Sequence, residues 1–230
     1  MSKRKTILSL IFNILAFVST AVIFVSYFFE EPSILIQSGF DSLKYFTTDS
    51  NILAAIVCAV TAVYDIRILS GKSDTLPQAV LILKFIGTAC VTLTMVATVL
   101  FLMPVYGMFV LSGSLIVVHA TTPLLALISF VFFETVHHIS IPKSLLGAVP
   151  MMLYGIVYYL EVKVIGEANG GWKDFYAYNR GGHWILSTVL MTSGCFVAAI
   201  LTAVIHNTSF QVLEKNKRLV MRASKRKKIF

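Results

Sequence analysis

Between Thr6 and Phe29 the chain reads TILSLIFNILAFVSTAVIFVSYFF, a run without one charged residue. In hydrocarbon every backbone N–H and C=O must be satisfied within its own segment, and about 20 apolar residues in an α-helix span the apolar thickness of a bilayer. This stretch therefore reads as a membrane-spanning helix, and the rest of the sequence repeats the pattern. Five further runs have the same character: Leu43 to Leu69, Gln78 to Met103, Gly107 to Phe133, Ser144 to Ile165 and Ile185 to His206. Polar or helix-breaking stretches separate them: Glu30-Glu31-Pro32, Ser70 to Pro77, Pro104 to Gly107, Ile139 to Lys143, and Gly166 to His183 with its Gly, Asn and Trp residues.

The expectation is an all-α membrane protein, one transmembrane domain over residues 1–230 built as a bundle of six helices, with a basic tail at 207–230. Composition agrees, since 57% of residues are apolar, 13% are charged and mean hydropathy is +0.83, more hydrocarbon than a soluble surface can cover. Lys3-Arg4-Lys5 ahead of an apolar run also fits a secretory signal, and Ser19-Thr20-Ala21 resembles a cleavage site. The apolar run continues to Phe29, longer than a signal h-region, so the first helix is expected to be retained. Cys58, Cys90 and Cys195 all fall inside apolar runs, which leaves no disulfide framework and no CxxC metal or redox motif.

Six spans put both termini on one side. With that side cytoplasmic, the inner segments carry Lys3, Arg4, Lys5, Arg67, Lys72, Lys143 and the eight cations from Lys215 to Lys228, while the outer ones carry Lys44, Lys163, Lys173 and Arg180. The bias of 14 to 4, with Lys84 left inside the third span, predicts cytoplasmic termini in a multi-pass protein of the cell membrane. The net charge of +8 does not point to nucleic acid, because its excess sits in the tail, where it suits anionic lipid headgroups. No internal repeat is visible, so the common transporter signature is missing.

Polar groups at membrane depth are costly, and those present are candidates for function. The densest cluster, Lys44-Tyr45-Phe46-Thr47-Thr48-Asp49-Ser50-Asn51, enters the second span. Thr47, Ser50 and Asn51 share a helical face at i, i+3 and i+4 and so are expected to converge on one cavity. The plainer reading is an N-cap, with Thr or Asp accepting from the free amides of a helix that starts near Ser50. In the fourth span His119 lies twelve residues beyond Gly107, about 18 Å along a helix. A histidine buried there is expected in its neutral form, able to accept a proton, and Pro123 frees its carbonyl and kinks the helix beside it. Its plainer reading is a hydrogen bond to a neighbouring helix. Tyr154, Tyr158, Tyr159, Trp172, Tyr176, Tyr178 and Trp184 read as an outer aromatic belt. Ser112, Gly113, Ser114, Ser187, Ser193 and Gly194 read as small residues that let helices approach.

The string Tyr45-Phe46-Thr47-Thr48-Asp49-Ser50-Asn51-Ile52-Leu53 resembles the F-T-x-x-S-N-[LI]-L signature that opens the second helix of Pr6Pr-type bacterial membrane proteins. Three later stretches resemble the same family in order: His119-Ala120-Thr121-Thr122-Pro123-Leu124-Leu125, the P-x-x-Y-x-x-x-Y pattern from Pro150, and Gly171-Trp172 with the aromatics after it. That family is similar to the androgen-induced membrane proteins, which hydrolyse fatty acid esters of hydroxy fatty acids. The resemblance implies a threonine nucleophile at Thr47 and an assisting histidine at His119, and it meets an acid at Asp49 where its pattern is neutral.

The functional expectation is thus an intramembrane lipid ester hydrolase with Thr47 as nucleophile and His119 as base, and with Ser50, Asn51 and Asp49 around the substrate. Ser50 and Asn51 are expected to donate to the oxyanion, and Tyr154, Tyr158, Thr188 or Thr192 to orient His119. No cofactor or metal is expected; haem would need a second mid-membrane histidine, and none is seen. The rival is a transporter or channel lined by Asp49, Asn51 and His119, with Lys84 as the sole further relay group. A non-catalytic membrane protein is the third reading.

Overall fold

The computed structural model describes residues 2–31 and 38–227. It is all-helical, with 82% helix and no strand among the described residues. We number the helices α1 (Lys3–Ser26), α2 (Phe46–Leu69), α3 (Gln78–Leu111), α4 (Val117–Phe133), α5 (Ile141–Ile165) and α6 (Trp184–Lys227). Five of them, α1, α2, α3, α5 and the Trp184–Asn216 part of α6, are long and apolar enough to cross a membrane, and α4 is an apolar helix of shorter length.

On α1 the packing is inverted relative to a soluble bundle, while Leu81, Phe85 and Phe130 form an apolar core between other helices. On α1 the buried face is Thr6, Ser9, Asn13, Ala16 and Thr20, while Ile11, Leu15, Val18 and Val22 are exposed. Lipid tails are as apolar as leucine, so large apolar side chains gain nothing by turning inward, whereas small and polar ones gain close packing and hydrogen bonds. Two glycines sit at such close helix contacts: a Cβ on Gly87 would stand 2.6 Å from Val57 Cγ2, and one on Gly147 would stand 2.8 Å from Phe85 Cζ. A Cβ on Gly194, expected at such a contact, would meet nothing within 4 Å, and Ser193 is exposed.

Hydrogen bonds between chain segments show the helices alternating up and down. At one end, Lys5 Nζ donates to Phe132 O, His137 Nε2 meets Leu76 O, and Asn207 exchanges two bonds with the Ile139 backbone. This basic end gathers the start of α1, the α2–α3 and α4–α5 connections, and α6 near His206. At the other, aromatic end, Ser114 donates to Glu30, Phe46 N donates to the Tyr176 hydroxyl, and Tyr154 donates to Lys44 O.

Four boundaries differ from the sequence expectation. Residues Gly39–Lys44 form a tight turn of their own, so α2 starts at Phe46 rather than at Leu43. The chain does break at Gly107, with φ +59°, and Gly107–Leu111, the last stretch of α3, is wound as a tighter turn than the rest of that helix. The true connection to α4 is Ser112-Gly113-Ser114, with Gly113 at φ +53°, so these three make a turn instead of a packing face. Finally, α6 runs without interruption past His206 to Lys227, because no Gly or Pro stands between 207 and 227 to stop it.

Candidate functional site

The start of α2 is held from outside the helix. Tyr45 occupies the N-cap in extended conformation and makes no side-chain cap bond; the Phe46 amide donates instead to the Tyr176 hydroxyl, 3.1 Å away. Thr47 and Asp49 are therefore not spent on capping, and the cap reading is replaced by a tyrosine from the α5–α6 connection. Asp174 builds that connection by accepting from Tyr158 Oη (2.9 Å), Tyr178 N (2.7 Å) and Asn179 N (2.8 Å), while Tyr176 N donates to Tyr158 Oη. Tyr178 also pairs with the Thr188 hydroxyl. Tyr158 is 1% exposed, so this part of the expected lipid-facing belt is a packed interior cluster. Burial pushes the Tyr176 phenol up to about 12.

Taking Phe46 as zero on a helical wheel, Ser50, Thr47 and Asn51 point at about 40°, 100° and 140°, Thr48 at about 200° and Asp49 at about 300°. The partners match these directions. Ser50 Oγ donates to Thr47 O and lies 2.9 Å from the Thr94 hydroxyl of α3. Asn51 Nδ2 donates to Thr47 O at 2.7 Å and to Val118 O of α4 at 2.9 Å. Thr47 thus lies on the side of α2 that faces α3 and α4, half-buried, with its hydroxyl in no hydrogen bond among the described residues. Ser50 and Asn51 point to different neighbours and do not converge on one cavity. Both Asn51 amide hydrogens are committed to carbonyls, which removes it as an oxyanion donor.

His119 sits two residues into α4 rather than 18 Å down a helix from Gly107, because α4 begins only after the Gly107–Leu111 segment and the turn at Gly113. It is 4% exposed, at the same end as Thr47. Its Nδ1 lies 2.8 Å from Val110 O in that segment. A carbonyl only accepts, so Nδ1 carries the proton and, in the neutral ring, Nε2 keeps its lone pair. None of the expected orienting groups, Tyr154, Tyr158, Thr188 and Thr192, makes a hydrogen bond to His119. No hydrogen bond joins His119 to Thr47.

Two cavities flank α2. One of about 10 Å3, room for a single water, is lined by Thr20, Tyr27, Thr48, Asn51 and Val118, and Asn51 Oδ1 is a sealed acceptor without a partner there. The second, about 380 Å3, lies between α2 and α5 and includes Asp49 and Ser50.

The polar interior continues at the basic end, where the sequence reading saw only Lys84. That residue is fully buried; its Nζ donates to Asn13 Oδ1 at 2.5 Å and to Cys58 Sγ at 2.8 Å, and stands 3.8 Å from Glu134 Oε1. Glu134 Oε1 also accepts from Asn13, Ser9 and Ser129, and Asp65 Oδ2 accepts from Ser9 at 2.7 Å. Asp65 Oδ1 and Glu134 Oε2 have no partner. The available signals were Ser9 and Asn13 at i, i+4 on one face of α1, and the need of a mid-span lysine for a counter-charge.

No protein family, curated protein or solved structure matches the chain. Among the described residues no group of His, Cys, Asp and Glu has an arrangement that would hold a metal ion. At the aromatic end the Thr47 hydroxyl makes no hydrogen bond among the described residues, and the His119 ring is held through Nδ1 with Nε2 making none.

Proposed function

We propose that this chain is an intramembrane lipid ester hydrolase, with Thr47 as nucleophile and His119 as base. The observation that carries the reading is the hold on His119: Val110 fixes its tautomer so that Nε2 is the basic nitrogen. Its helix is also tied to that of Thr47 through the Asn51–Val118 bond. Thr47 Oγ attacks the ester carbonyl carbon as its proton passes to Nε2; the tetrahedral centre collapses, and the leaving alkoxide takes that proton. Water then attacks the acyl-threonine, gives a proton to Nε2, and releases the fatty acid as Oγ is reprotonated. The resemblance of the Thr47 and His119 segments to the Pr6Pr-type family, itself similar to the androgen-induced proteins, supports fatty acid esters, including those of hydroxy fatty acids, as the substrate class.

Purified protein should hydrolyse a labelled branched fatty acid ester and take a fluorophosphonate on Thr47. Thr47→Ala and His119→Ala should lose both activities, and Thr48→Ala should keep most of its hydrolysis. An adduct on Thr48, or full hydrolysis in Thr47→Ala, overturns the assignment.

In the same reading α4 is the sixth span, the basic end faces the cytoplasm with both termini, and the tail lies on anionic headgroups. The 14 to 4 distribution of cations supports this orientation in the cell membrane. A second reading, transport of a proton or small polar solute, is favoured by the Asp65–Lys84–Glu134 network, which supplies ionisable groups at the basic end beyond Asp49, Asn51 and His119. Proton flux in proteoliposomes that stops in Asp65→Asn would select it.

A further inference from the structure

The 380 Å3 cavity is within the roughly 300–1,000 Å3 range of small-molecule sites. Leu43, Phe46 and Leu53 of the α2 side face Leu153 and Val157 of α5, and the latter two are exposed on the outside of the bundle, so the cavity is reached from the lipid side. Its polar groups are nearly all committed. The Ser50 hydroxyl is bonded to Thr47 O and Thr94, and the Tyr154 hydroxyl donates to Lys44 O at 2.6 Å. The Asp49 carboxylate makes no hydrogen bond and no ion pair among the described residues. The nearby lysines are engaged elsewhere, Lys44 with Asp41 at 2.8 Å and Lys173 with Glu167 at 3.7 Å.

The Asp49 carboxylate is half-buried against apolar walls, and a positive partner there would stabilise its charged form. The rings of Trp172 and Tyr154 line the same space, and aromatic faces attract an ammonium as a carboxylate does. We propose that this cavity binds an amphiphile with a cationic headgroup, an amine or quaternary ammonium, whose chain lies against α2 and α5.

Binding is read without turnover, so that absence of hydrolysis leaves the test intact. The chain has two tryptophans, and Trp184→Phe leaves Trp172 as the sole fluorophore in the cavity wall. In lipid nanodiscs, a brominated-chain alkyltrimethylammonium should quench Trp172 at a tenfold lower mole fraction than the same chain bearing a carboxylate or a neutral sugar. Asp49→Asn should erase the preference and Asp49→Glu should keep it. Equal quenching by the three headgroups, or a preference that survives Asp49→Asn, overturns the proposal. If Asp49→Asn does not fold, the headgroup comparison in the Trp184→Phe protein decides alone.

Discussion

Replacing Lys84 by Met removes the cation from a site where two acids are fully buried. Methionine keeps most of the stem volume, so the change isolates charge from packing. The groups hydrogen-bonded to these three side chains, Asn13, Ser9, Ser129 and Cys58, carry no positive charge. Breaking a buried ion pair by removal of one member costs about 3–5 kcal/mol, because the partner's charge stays behind uncompensated. At about 1.4 kcal/mol per power of ten, Lys84→Met should shift the folding equilibrium by roughly two to four powers of ten. Adding Asp65→Asn and Glu134→Gln removes the stranded charges, and the triple variant should return to within about 2 kcal/mol of the unmutated protein. Asp65→Asn alone leaves the Lys84–Glu134 pair intact and should cost less than Lys84→Met, about 1–3 kcal/mol. The assay is equilibrium unfolding of detergent-solubilised protein by dodecyl sulfate at pH 7, followed by circular dichroism. Lys84→Met within about 1 kcal/mol of the parent, or a triple variant no better than the single one, would refute the electrostatic account of this core.

Tyr176→Phe removes the acceptor of the Phe46 amide and should cost about 1 kcal/mol of stability. The same change should flatten the alkaline limb of the stability profile: the unfolded phenol ionises near its ordinary value of about 10, whereas burial holds the folded one at about 12. The stabilisation is therefore complete below pH 10 and is lost as pH rises towards 12; thermal unfolding between pH 9 and 11 measures it, and parallel profiles for the two proteins would contradict it. For topology, cysteine placed at Lys72 should react with a membrane-impermeant maleimide only after cells are opened, and cysteine at Glu31 should react in intact cells. Both positions are exposed on the protein, so access is set by the membrane side, and the opposite pattern would reverse the orientation.

That the chain folds into long apolar helices, and roughly where five of them run, was legible in the sequence because a helix in hydrocarbon satisfies its backbone locally. A run such as Thr6 to Phe29 needs no knowledge of its neighbours to be read. The candidate threonine and histidine were legible too, since polar residues in apolar runs stand out one at a time. Partnership was not. Hydropathy along the chain averages over the helix circumference, and which side chains meet depends on the rotation of each helix and on turns set by single backbone angles. Gly107 and Gly113 at positive φ moved His119 to the top of α4 and brought the Val110 carbonyl to its ring. Asp65 and Glu134 lie at the ends of apolar runs, where a charge ordinarily meets water. Only the tertiary structure draws them over Lys84, because four helices placed their small and polar faces inward and left no other counter-charge for a buried ammonium.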